Sequence, residues 1–430
     1  MTGRFRCLAP AWSVAGLLVL LGLSACTTNI ASYPEPGAAS VASAAPVSAG
    51  LVDVLYVTDR AEVTAPDGSI TYSSKRSKVM SFGSVTLAED GKSGALGRGE
   101  LTVERVAQAG QFPPTPYQME AAKGGIRREP AVVAEHVAAA RALQAEVARS
   151  LTKSKRKEIV FFIHGYANGF DDAAETTGNL CRSLHEEFVC VALTWPAGGS
   201  GGAFMGYNID RESGEFAVAD MKKAIRIIAT TPGVEKVHVI AHSRGTDVIA
   251  SALQQLGIEA YVGGSSLSEK YKIQNVVLFA ADIDLDVAKS KLFGLGSDPD
   301  LPMGARSNPS VVMRQGNYHL TVYSSTKDRA LGISGRIFGS QTRLGQLSLP
   351  KLSANKPFEQ LNDTQLASLI DFIEYDGNAG WIGHSYFLTD PAVNADLVAL
   401  IRDDLKTGDP GRPVIEIRRP FWRVVNGPKG

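Results

Sequence analysis

One serine in this sequence occupies the position that a nucleophile needs. Ser243 lies in the stretch Lys236-Val-His-Val-Ile-Ala-His-Ser-Arg-Gly245, where an apolar, strand-like run is followed at once by a helix-forming segment. The small residues Ala241 and Gly245 allow a tight turn around the serine, although the usual motif has glycine where this chain has Ala241. Such a turn lifts the hydroxyl clear of a sheet, where a base can activate it for attack on an acyl carbon. A buried structural serine at an ordinary strand-to-helix turn is the alternative.

The base and the acid that such a serine requires follow later in the chain. His384 lies in Gly380-Trp-Ile-Gly-His-Ser-Tyr-Phe387, after the last predicted parallel strand, and Asp328 follows the strand before it. The order of nucleophile, acid and histidine is the one that accompanies this kind of turn. We expect His384 to take the proton of Ser243 and pass it to the leaving group, while Asp328 fixes the tautomer of the histidine and stabilises the imidazolium.

Other acids and histidines compete for these roles. Asp282, Asp284 and Asp286 follow an earlier strand and remain alternative acids, but the loop after the penultimate strand favours Asp328. Structural roles explain the remaining candidate histidines better, since they adjoin the turn or lie on predicted helices or in and beside strands. These histidines are His136, His185, His238, His242 and His319.

An acyl-transfer site also needs two backbone donors for the oxyanion. One is expected to be the N–H of Arg244, the residue after the nucleophile. The other is expected from the loop His164-Gly-Tyr-Ala-Asn-Gly169, where an apolar strand ends in His-Gly and Gly165 lets the backbone turn its amides inward. We assign the second donor to the backbone of Tyr166.

The elements that must position these residues alternate along the chain. Strands that alternate with helices indicate a parallel sheet with crossover helices, and continuous apolar runs indicate strands covered on both faces. Two early antiparallel strands precede the first helix. The predicted strands are 51–58, 79–86, 158–163, 188–193, 236–240, 274–279, 320–323 and 369–375, and the predicted helices are 132–151, 173–184, 215–228, 246–256 and 393–405. Residues 414–425 are expected to add an edge strand.

The N-terminus has the pattern of an export signal. Arg4 and Arg6 precede a short apolar core, and Leu23-Ser-Ala-Cys26 resembles a bacterial lipobox. The resemblance implies a signal peptide over residues 1–25, a lipid on Cys26 and, because Thr27 rather than Asp follows, delivery to the outer membrane of a Gram-negative bacterium. An ordinary signal peptide with an incidental Cys26 is the alternative. Residues 26–50, rich in Ala, Ser, Pro and Gly, are expected to form a flexible tether to a domain over residues 51–430.

Composition narrows the function classes further. The 44 basic and 44 acidic residues balance, so nothing argues for a nucleic-acid partner. Cys181 and Cys190 could pair in an oxidising compartment, and two buried free thiols remain as plausible. Metal-ligand spacing is absent from the sequence, and no cofactor is implied. The glycine-rich segment 197–205 lacks the Lys-Ser/Thr ending of a phosphate-binding loop.

Several blocks in fixed order resemble an uncharacterised bacterial family of α/β-hydrolases, esterase- or lipase-like hydrolases of unknown function. The blocks are Val57-Thr-Asp-Arg60, Phe162-Ile-His-Gly-Tyr166, Thr194-Trp-Pro196, Tyr207-Asn-Ile-Asp-Arg211, His242-Ser243, Ala280-Ala-Asp-Ile-Asp284, Tyr323-Ser-Ser-Thr-Lys-Asp328 and Gly383-His-Ser-Tyr386. The resemblance implies an α/β-hydrolase fold and supports the triad, but it supplies no substrate. Arg244 and Thr246 stand where similar proteins usually have Met and Asn.

These observations predict a lipid-anchored serine hydrolase, most consistent with a carboxylic ester hydrolase that forms an acyl-enzyme. Its substrate would be a small-molecule or lipid-like ester, with thioesterase, lipase and peptidase activities left open. Residues 285–313 form either a lid or a surface excursion. The alternative from another class is a catalytically silent lipoprotein of the same fold that binds an envelope partner.

Overall fold

The computed structural model describes residues 50–93, 96, 99–199, 202–297, 318–337, 339, 342–348, 369–377 and 384–425. Its strands are β1 (Val52–Thr64), β2 (Ile70–Ser93), β3 (Gly99–Gln111), β4 (Met119–Ala122), β5 (Gly125–Arg128), β6 (Glu158–Ile163), β7 (Val189–Thr194), β8 (Lys236–His242), β9 (Ile273–Phe279), β10 (His319–Ser324), β11 (Ile370–Glu374), β12 (Val414–Arg418) and β13 (Phe421–Val424).

The helices lie mostly between the parallel strands. They are α1 (Pro130–Lys153), α2 (Phe170–Ser183), α3 (Gly202–Ala229), α4 (Gly245–Val262), α5 (Leu267–Tyr271), α6 (Leu285–Ser297), α7 (Arg329–Ile337), α8 (Tyr386–Thr389) and α9 (Pro391–Ile401), and a 3₁₀ turn covers Leu344–Gln346. None of the helices in the described ranges is both long and apolar enough to cross a membrane.

A large mixed sheet forms the centre of the described structure. Its strand order is β12-β13-β11-β10-β9-β8-β6-β7-β1-β2-β3, parallel from β13 through β1, with antiparallel strands at both ends. Every residue of β6 and β7 is buried, as a strand covered by helices on both faces requires. The α/β fold predicted from the apolar runs is confirmed.

The direction of the parallel strands separates two ends of the molecule. β1 pairs with β7 in parallel from Leu55 to Thr58, so Val52 begins at the edge of the sheet where the parallel strands start. Ser243 follows the last residue of β8 and therefore lies at the opposite edge, where the parallel strands end. The start of β1 and the predicted nucleophile are thus about a strand length apart along the direction of the strands.

The sheet edges depart most from the sequence prediction. β2 runs over 24 residues, and β3 and the β4–β5 hairpin were not predicted at all. β3 is half exposed and carries charged residues along its length, so no continuous apolar run marked it. The C-terminal tail forms two strands rather than one, and β13 lies between β11 and the edge strand β12.

Two segments predicted as loops contain helix. The glycine-rich segment 197–205 ends inside α3, which begins at Gly202 and not near residue 215. The start of the possible lid is α6, whose Leu285 and Ala288 are buried in the core. The carboxylate of Asp284 accepts hydrogen bonds from the amides of Asp286 and Val287 and caps this helix, a start signal that the sequence analysis missed. Residues 298–313 lie outside the described residues.

Cys181 and Cys190 are joined by a disulfide between the end of α2 and the second residue of β7. Both are buried. Of the two alternatives left open by the sequence, the structure therefore contains the bridge. The predicted signal peptide, the predicted lipid site at Cys26 and residues 27–49 of the predicted tether lie outside the described residues.

Candidate active site

Ser243 occupies a strained turn between β8 and α4. Its φ is 52°, in the left-handed region that non-glycine residues rarely adopt. The turn is held by its own backbone: the N–H of Ser243 donates to the carbonyl of Phe279 at 3.0 Å, and its carbonyl accepts from the amides of Thr246 and Asp282. A strained residue whose backbone is fixed by the neighbouring strand β9, by the loop after it and by the helix that follows is typical of functional sites.

Two glycines allow the turn to pack tightly against the loop after β6. A Cβ on Gly245 would lie 2.3 Å from the carbonyl oxygen of His164, and a Cβ on Gly165 would lie 2.7 Å from Cβ of Ser243. Both distances are shorter than real Cβ contacts. The turn at Ser243, from here on the elbow, and the predicted oxyanion loop of residues 164–169 therefore touch through glycine at both points.

His384 and Asp328 form a direct histidine–carboxylate contact at this edge of the sheet. Nδ1 of His384 donates to Oδ2 of Asp328 at 2.7 Å, while the amide of Leu331 donates to the other carboxylate oxygen at 3.0 Å. Because the carboxylate can only accept, the proton of neutral His384 sits on Nδ1, and Nε2 is left as the basic nitrogen. Burial lowers the pKa of His384, but the charge and hydrogen bond of Asp328, with a smaller contribution from Asp282, raise it above its usual value overall.

The loop of His384 is fastened next to the nucleophile. Nε2 of His242 donates to the backbone carbonyl of His384 at 3.1 Å, and the two imidazole rings lie 4.8 Å apart. Two residues further on, the hydroxyl of Tyr386 donates to the carbonyl of Tyr323 at 3.0 Å and accepts from the amide of Ala280. The hydroxyl of Ser243 makes no hydrogen bond to any residue that the structure describes, and such contacts often tighten only when substrate binds.

The alternative acids serve other contacts. Asp282 accepts from the hydroxyl of Tyr207 and, at 2.7 Å, from that of Ser334. Asp284 caps α6, and Asp286 is exposed and pairs with Lys289. Of the four predicted candidates, only Asp328 is hydrogen-bonded to His384 among the described residues.

The two predicted oxyanion donors lie on either side of the contact between the elbow and the oxyanion loop: Tyr166 follows Gly165, and Arg244 precedes Gly245. The N–H groups of Tyr166 and Arg244 donate to no acceptor in the described part of the chain. The amides around Tyr166 are, by contrast, occupied: Gly165 N–H donates to Asn168 Oδ1 at 3.2 Å, and Ala167 N–H donates to Asp210 Oδ2 at 3.0 Å. The loop therefore leaves one amide unused at the position that an oxyanion donor requires.

A buried network behind this loop was not recognised as such from the sequence. Trp195 stacks on His164 with ring centroids 5.1 Å apart, donates its indole N–H to the His164 carbonyl, and donates its backbone N–H to His164 Nε2. Burial, followed by the charge of Arg60, lowers the pKa of His164 to about 3, so this imidazole is neutral. The proton therefore sits on Nδ1, which donates to the carbonyl of Gly165 at 2.9 Å.

Arg60 fastens the same loop from β1. Its buried guanidinium donates to the carbonyl of Asn168 at 2.6 Å, to that of Ala197 at 3.0 Å and to the hydroxyl of Thr194 at 2.7 Å. Asp210 of α3 completes the arrangement, because its carboxylate also accepts from the amides of Gly198 and Gly199. The blocks around Arg60, Thr194 and Asp210 were visible in the sequence, but only the fold shows that all three hold one loop.

The side chain of Arg244 makes contacts that are separate from the oxyanion role predicted for its backbone N–H. Its guanidinium pairs with Asp247 at 2.6 Å and lies 6.0 Å from the ring centroid of Tyr207. Lys291 of α6 reaches the other oxygen of Asp247, also at 2.6 Å. The arginine thus lies beside Tyr207 of α3, and Asp247 joins both Arg244 and Lys291 of α6 at the start of α4.

The remaining histidines make structural contacts, apart from His242. His136 hydrogen-bonds to Tyr117, His238 to Glu158 and His319 to Asp371. His185 does not lie on a helix as predicted, since α2 ends at Ser183 and His185 has a φ of 61° in the following turn. The described residues contain no cluster of ligands suited to a metal ion.

A cavity of about 320 Å³ opens far from this site. Its walls include Val52 of β1, Lys153 of α1 and the Cys181–Cys190 disulfide, so it lies where the parallel strands begin. It takes no part in the chemistry around Ser243.

Residues 139–403 match the model of a family described as alpha/beta hydrolases of unknown function (DUF900). The chain belongs to this family. The matched range contains Ser243, Asp328 and His384, and it runs from α1 to the end of α9. The expected kinship with an uncharacterised family of α/β-hydrolases is therefore confirmed, and the protein is a hydrolase by family and fold. No curated protein matches the chain.

Solved structures with the same general architecture are distant. Esterase B from Lactobacillus rhamnosis, solved with a tributyrin phosphonate inhibitor, is 13% identical, covers 57% of this chain and 76% of its own, and has a TM-score of 0.30. A carboxylesterase from Bacillus subtilis is 9% identical over 60% of this chain and 97% of its own, with a TM-score of 0.27. A lipase-esterase related protein from Clostridium acetobutylicum is 12% identical over 48% and 96%, with a TM-score of 0.22.

Proposed function

We propose that this hydrolase cleaves carboxylic esters through an acyl-enzyme on Ser243. In this mechanism His384 removes the hydroxyl proton of Ser243 as the serine attacks the ester carbonyl. The backbone N–H groups of Tyr166 and Arg244 stabilise the oxyanion, and His384 returns the proton to the leaving alcohol. Water then repeats the sequence to release the acid.

The observation that carries the proposal is the hydrogen bond of 2.7 Å between His384 Nδ1 and Asp328 Oδ2 at the loop beside the strained Ser243. This contact fixes the tautomer that leaves Nε2 free to accept a proton, and the negative charge of Asp328 stabilises the imidazolium that forms. The two unused amides of Tyr166 and Arg244 support the same chemistry. A purely structural histidine would not require an unoccupied basic nitrogen next to a strained serine.

A fluorophosphonate probe tests the nucleophile directly. The soluble domain from residue 51 onward should be labelled, and Ser243→Ala should abolish labelling and ester hydrolysis while the thermal unfolding midpoint stays close to that of the parent. Ser251→Ala is a matched control, because Ser251 is a buried serine on α4, the helix that follows Ser243, and its hydroxyl bonds to Asp247 and Lys291. Labelling or turnover that survives Ser243→Ala would disprove the assignment.

Matched substrates define the reaction more closely. A series of 4-nitrophenyl esters of increasing chain length, a thioester and an amide with the same acyl group should be compared by kcat/KM. We expect the oxygen ester to be preferred. A clear preference for the thioester or the amide would keep the nucleophile but change the substrate class.

We further propose that the domain is exported and anchored by a lipid on Cys26. The Cys181–Cys190 disulfide supports export, because disulfides persist mainly in oxidising compartments. Growth of the expressing bacterium with an alkyne-bearing fatty acid should label the full chain but not Cys26→Ser. Labelling that is unchanged in Cys26→Ser would exclude this attachment site.

A further inference from the structure

We propose that His242, the residue before the nucleophile, is a positioning residue that sets the place of the catalytic base by donating a hydrogen bond to the backbone carbonyl of His384. The proposal rests on the function proposed above, in which His384 is the base. It assigns a role in the reaction to a side chain that the sequence predicted to serve only packing.

The direction of this hydrogen bond is fixed by chemistry. A carbonyl oxygen only accepts, so Nε2 of His242 carries the proton in the 3.1 Å contact with His384. Burial, and then the charge that His384 acquires, lowers the pKa of His242 well below its usual value. His242 therefore stays neutral and keeps the donor that the contact requires while His384 changes its charge.

The same imidazole also borders the oxyanion loop. A Cβ on Gly165 would lie 3.2 Å from Nδ1 of His242, and the ring of Phe387 lies 4.5 Å away on the side of the base loop. His242 thus lies between the loop that holds Tyr166 and the loop that holds His384, and it directly precedes Ser243 in the chain. One ring therefore sets the spacing of the nucleophile, the oxyanion loop and the base.

Among the described residues, no other hydrogen bond holds the backbone of His384 itself. Asp328 fixes the rotation of its ring, and Tyr386 anchors the chain two residues later. Proton transfer requires Nε2 of His384 to reach a heavy-atom distance of about 2.6–3.2 Å from the serine oxygen. A displacement of 1 Å can lower the rate by about 100-fold.

Two substitutions separate positioning from packing. His242→Gln keeps an N–H donor near the position of Nε2, whereas His242→Leu fills the apolar space against Phe387 without a donor. If the ring only packs, leucine should retain more activity than glutamine. If the hydrogen bond positions His384, the order is reversed.

The experiment measures kcat and KM for 4-nitrophenyl acetate, the pH profile of kcat/KM and the thermal unfolding midpoint. We expect His242→Leu to lower kcat by about 100-fold with little change in KM. We expect His242→Gln to stay within about tenfold of the parent. The titratable groups that face His384 are Asp328, Asp282 and the neutral His242. In His242→Leu the displaced base should contact Asp328 less closely, which lowers the pKa of His384. The acid limb of the pH profile of this variant should therefore move to lower pH.

Each outcome decides between the proposals. The positioning role would be overturned, and the ester hydrolase left intact, if His242→Leu were at least as active as His242→Gln. The same would follow if the acid limb stayed in place and the loss in kcat only followed the fall in the unfolding midpoint. A folded parent that neither hydrolyses the ester nor reacts with fluorophosphonate would overturn the proposed function, and the role of His242 with it. Should the leucine variant not fold, His242→Met, flexible and without a donor, takes its place.

Discussion

Asp328 and Asp282 both raise the pKa of His384, but they do so in different ways. Asp328 contacts the ring directly, whereas Asp282 contributes its charge while its oxygens accept from Tyr207 and Ser334. Only the first contact fixes the tautomer of the base. The two carboxylates are therefore unequal in the proposed mechanism although both lie at the same edge of the sheet.

Asn substitutions at the two positions should differ in size of effect. Asp328→Asn removes the charge that stabilises the imidazolium, and we expect kcat to fall by about 10³–10⁴-fold. Asp282→Asn should cost far less. Steady-state kinetics on the same ester measure both, and a larger loss in Asp282→Asn would move the acid to the earlier strand.

The pH profile gives a second reading of the same contact. In the proposed mechanism His384 acts as a base only when neutral, so kcat/KM should fall as the pH drops through its pKa, which lies above the usual value of about 6.5. In Asp328→Asn this acid limb should move to lower pH, because the raising charge is gone. An acid limb that stays in place would show that Asp328 does not face the base in solution.

Asp59 is a buried acid that the proposed mechanism does not use. Neither of its carboxylate oxygens hydrogen-bonds to another described residue, and burial, followed by the charge of Asp220, raises its pKa well above the usual value. The folded chain therefore keeps Asp59 protonated at pH values where the unfolded chain has lost that proton. Its contribution to stability is complete below the unfolded pKa and is lost as the pH rises toward the folded pKa.

Asp59→Asn should remove this dependence. Between the unfolded and folded pKa values, the parent loses about 1.4 kcal/mol of unfolding free energy per pH unit through this group, and the variant does not. In urea unfolding, the free energy of unfolding of Asp59→Asn, relative to that of the parent, should thus be higher at pH 8 than at pH 5. Asp286→Asn, at an exposed carboxylate, is the control, and equal pH slopes in the Asp59 variant and the parent would contradict the prediction.

At the scale of the elements, the site depends on how closely two loops approach each other. Gly165→Ala places a Cβ 2.7 Å from Cβ of Ser243, so either the elbow or the oxyanion loop must shift. Because a lost oxyanion donor costs about 100- to 1000-fold in kcat, we expect a kcat loss of this order with a modest fall in the unfolding midpoint.

Gly332→Ala is the matched control for this contact. Gly332 lies on α7, directly after the acid loop, and an added Cβ would meet its first neighbour at 3.5 Å, an ordinary contact. Kinetics on both variants under the same conditions make the comparison. Comparable activity in the two would show that the loops do not need their close approach.

The disulfide stabilises the connection from α2 to β7. The cysteines are nine residues apart, and closing a loop of this size contributes about 2–3 kcal/mol in the chain-entropy description. The double variant Cys181→Ser, Cys190→Ser should lose about that much unfolding free energy in urea. Reducing agent should lower the parent to the level of the variant and leave the variant unchanged, whereas an insensitive parent would argue against the bridge.

The elements also show what the sequence can and cannot predict. β6 was predicted at its observed bounds, because a buried parallel strand is a nearly continuous apolar run, which here follows Glu158 from Ile159 to Ile163. β3 and the β4–β5 hairpin were missed, since exposed edge strands carry no such run. The chain order of Ser243, Asp328 and His384 could be predicted from position, but the network of Arg60, His164 and Trp195 could not, because it joins side chains that meet only across three neighbouring strands.

At the scale of the whole molecule, the direction of β1 determines where this strand begins relative to Ser243. β1, the first strand of the described residues, begins at Val52 where the parallel strands start, and Ser243 lies where they end. Seven residues of extended strand, from Val52 to Thr58, cover about 23 Å. A flexible segment of the predicted tether length has a root-mean-square reach of about 28 Å.

If Cys26 is lipidated as proposed, the tether would join the domain at the end of the sheet opposite Ser243. Because the reach of the tether exceeds the length of the strand, the domain would be free to turn on it, and either end of the sheet would be able to meet the bilayer. Such an enzyme would have access to esters in solution and at the membrane surface alike. The direction in which β1 runs would thus separate Ser243 from the point of attachment without confining the enzyme to one of the two phases.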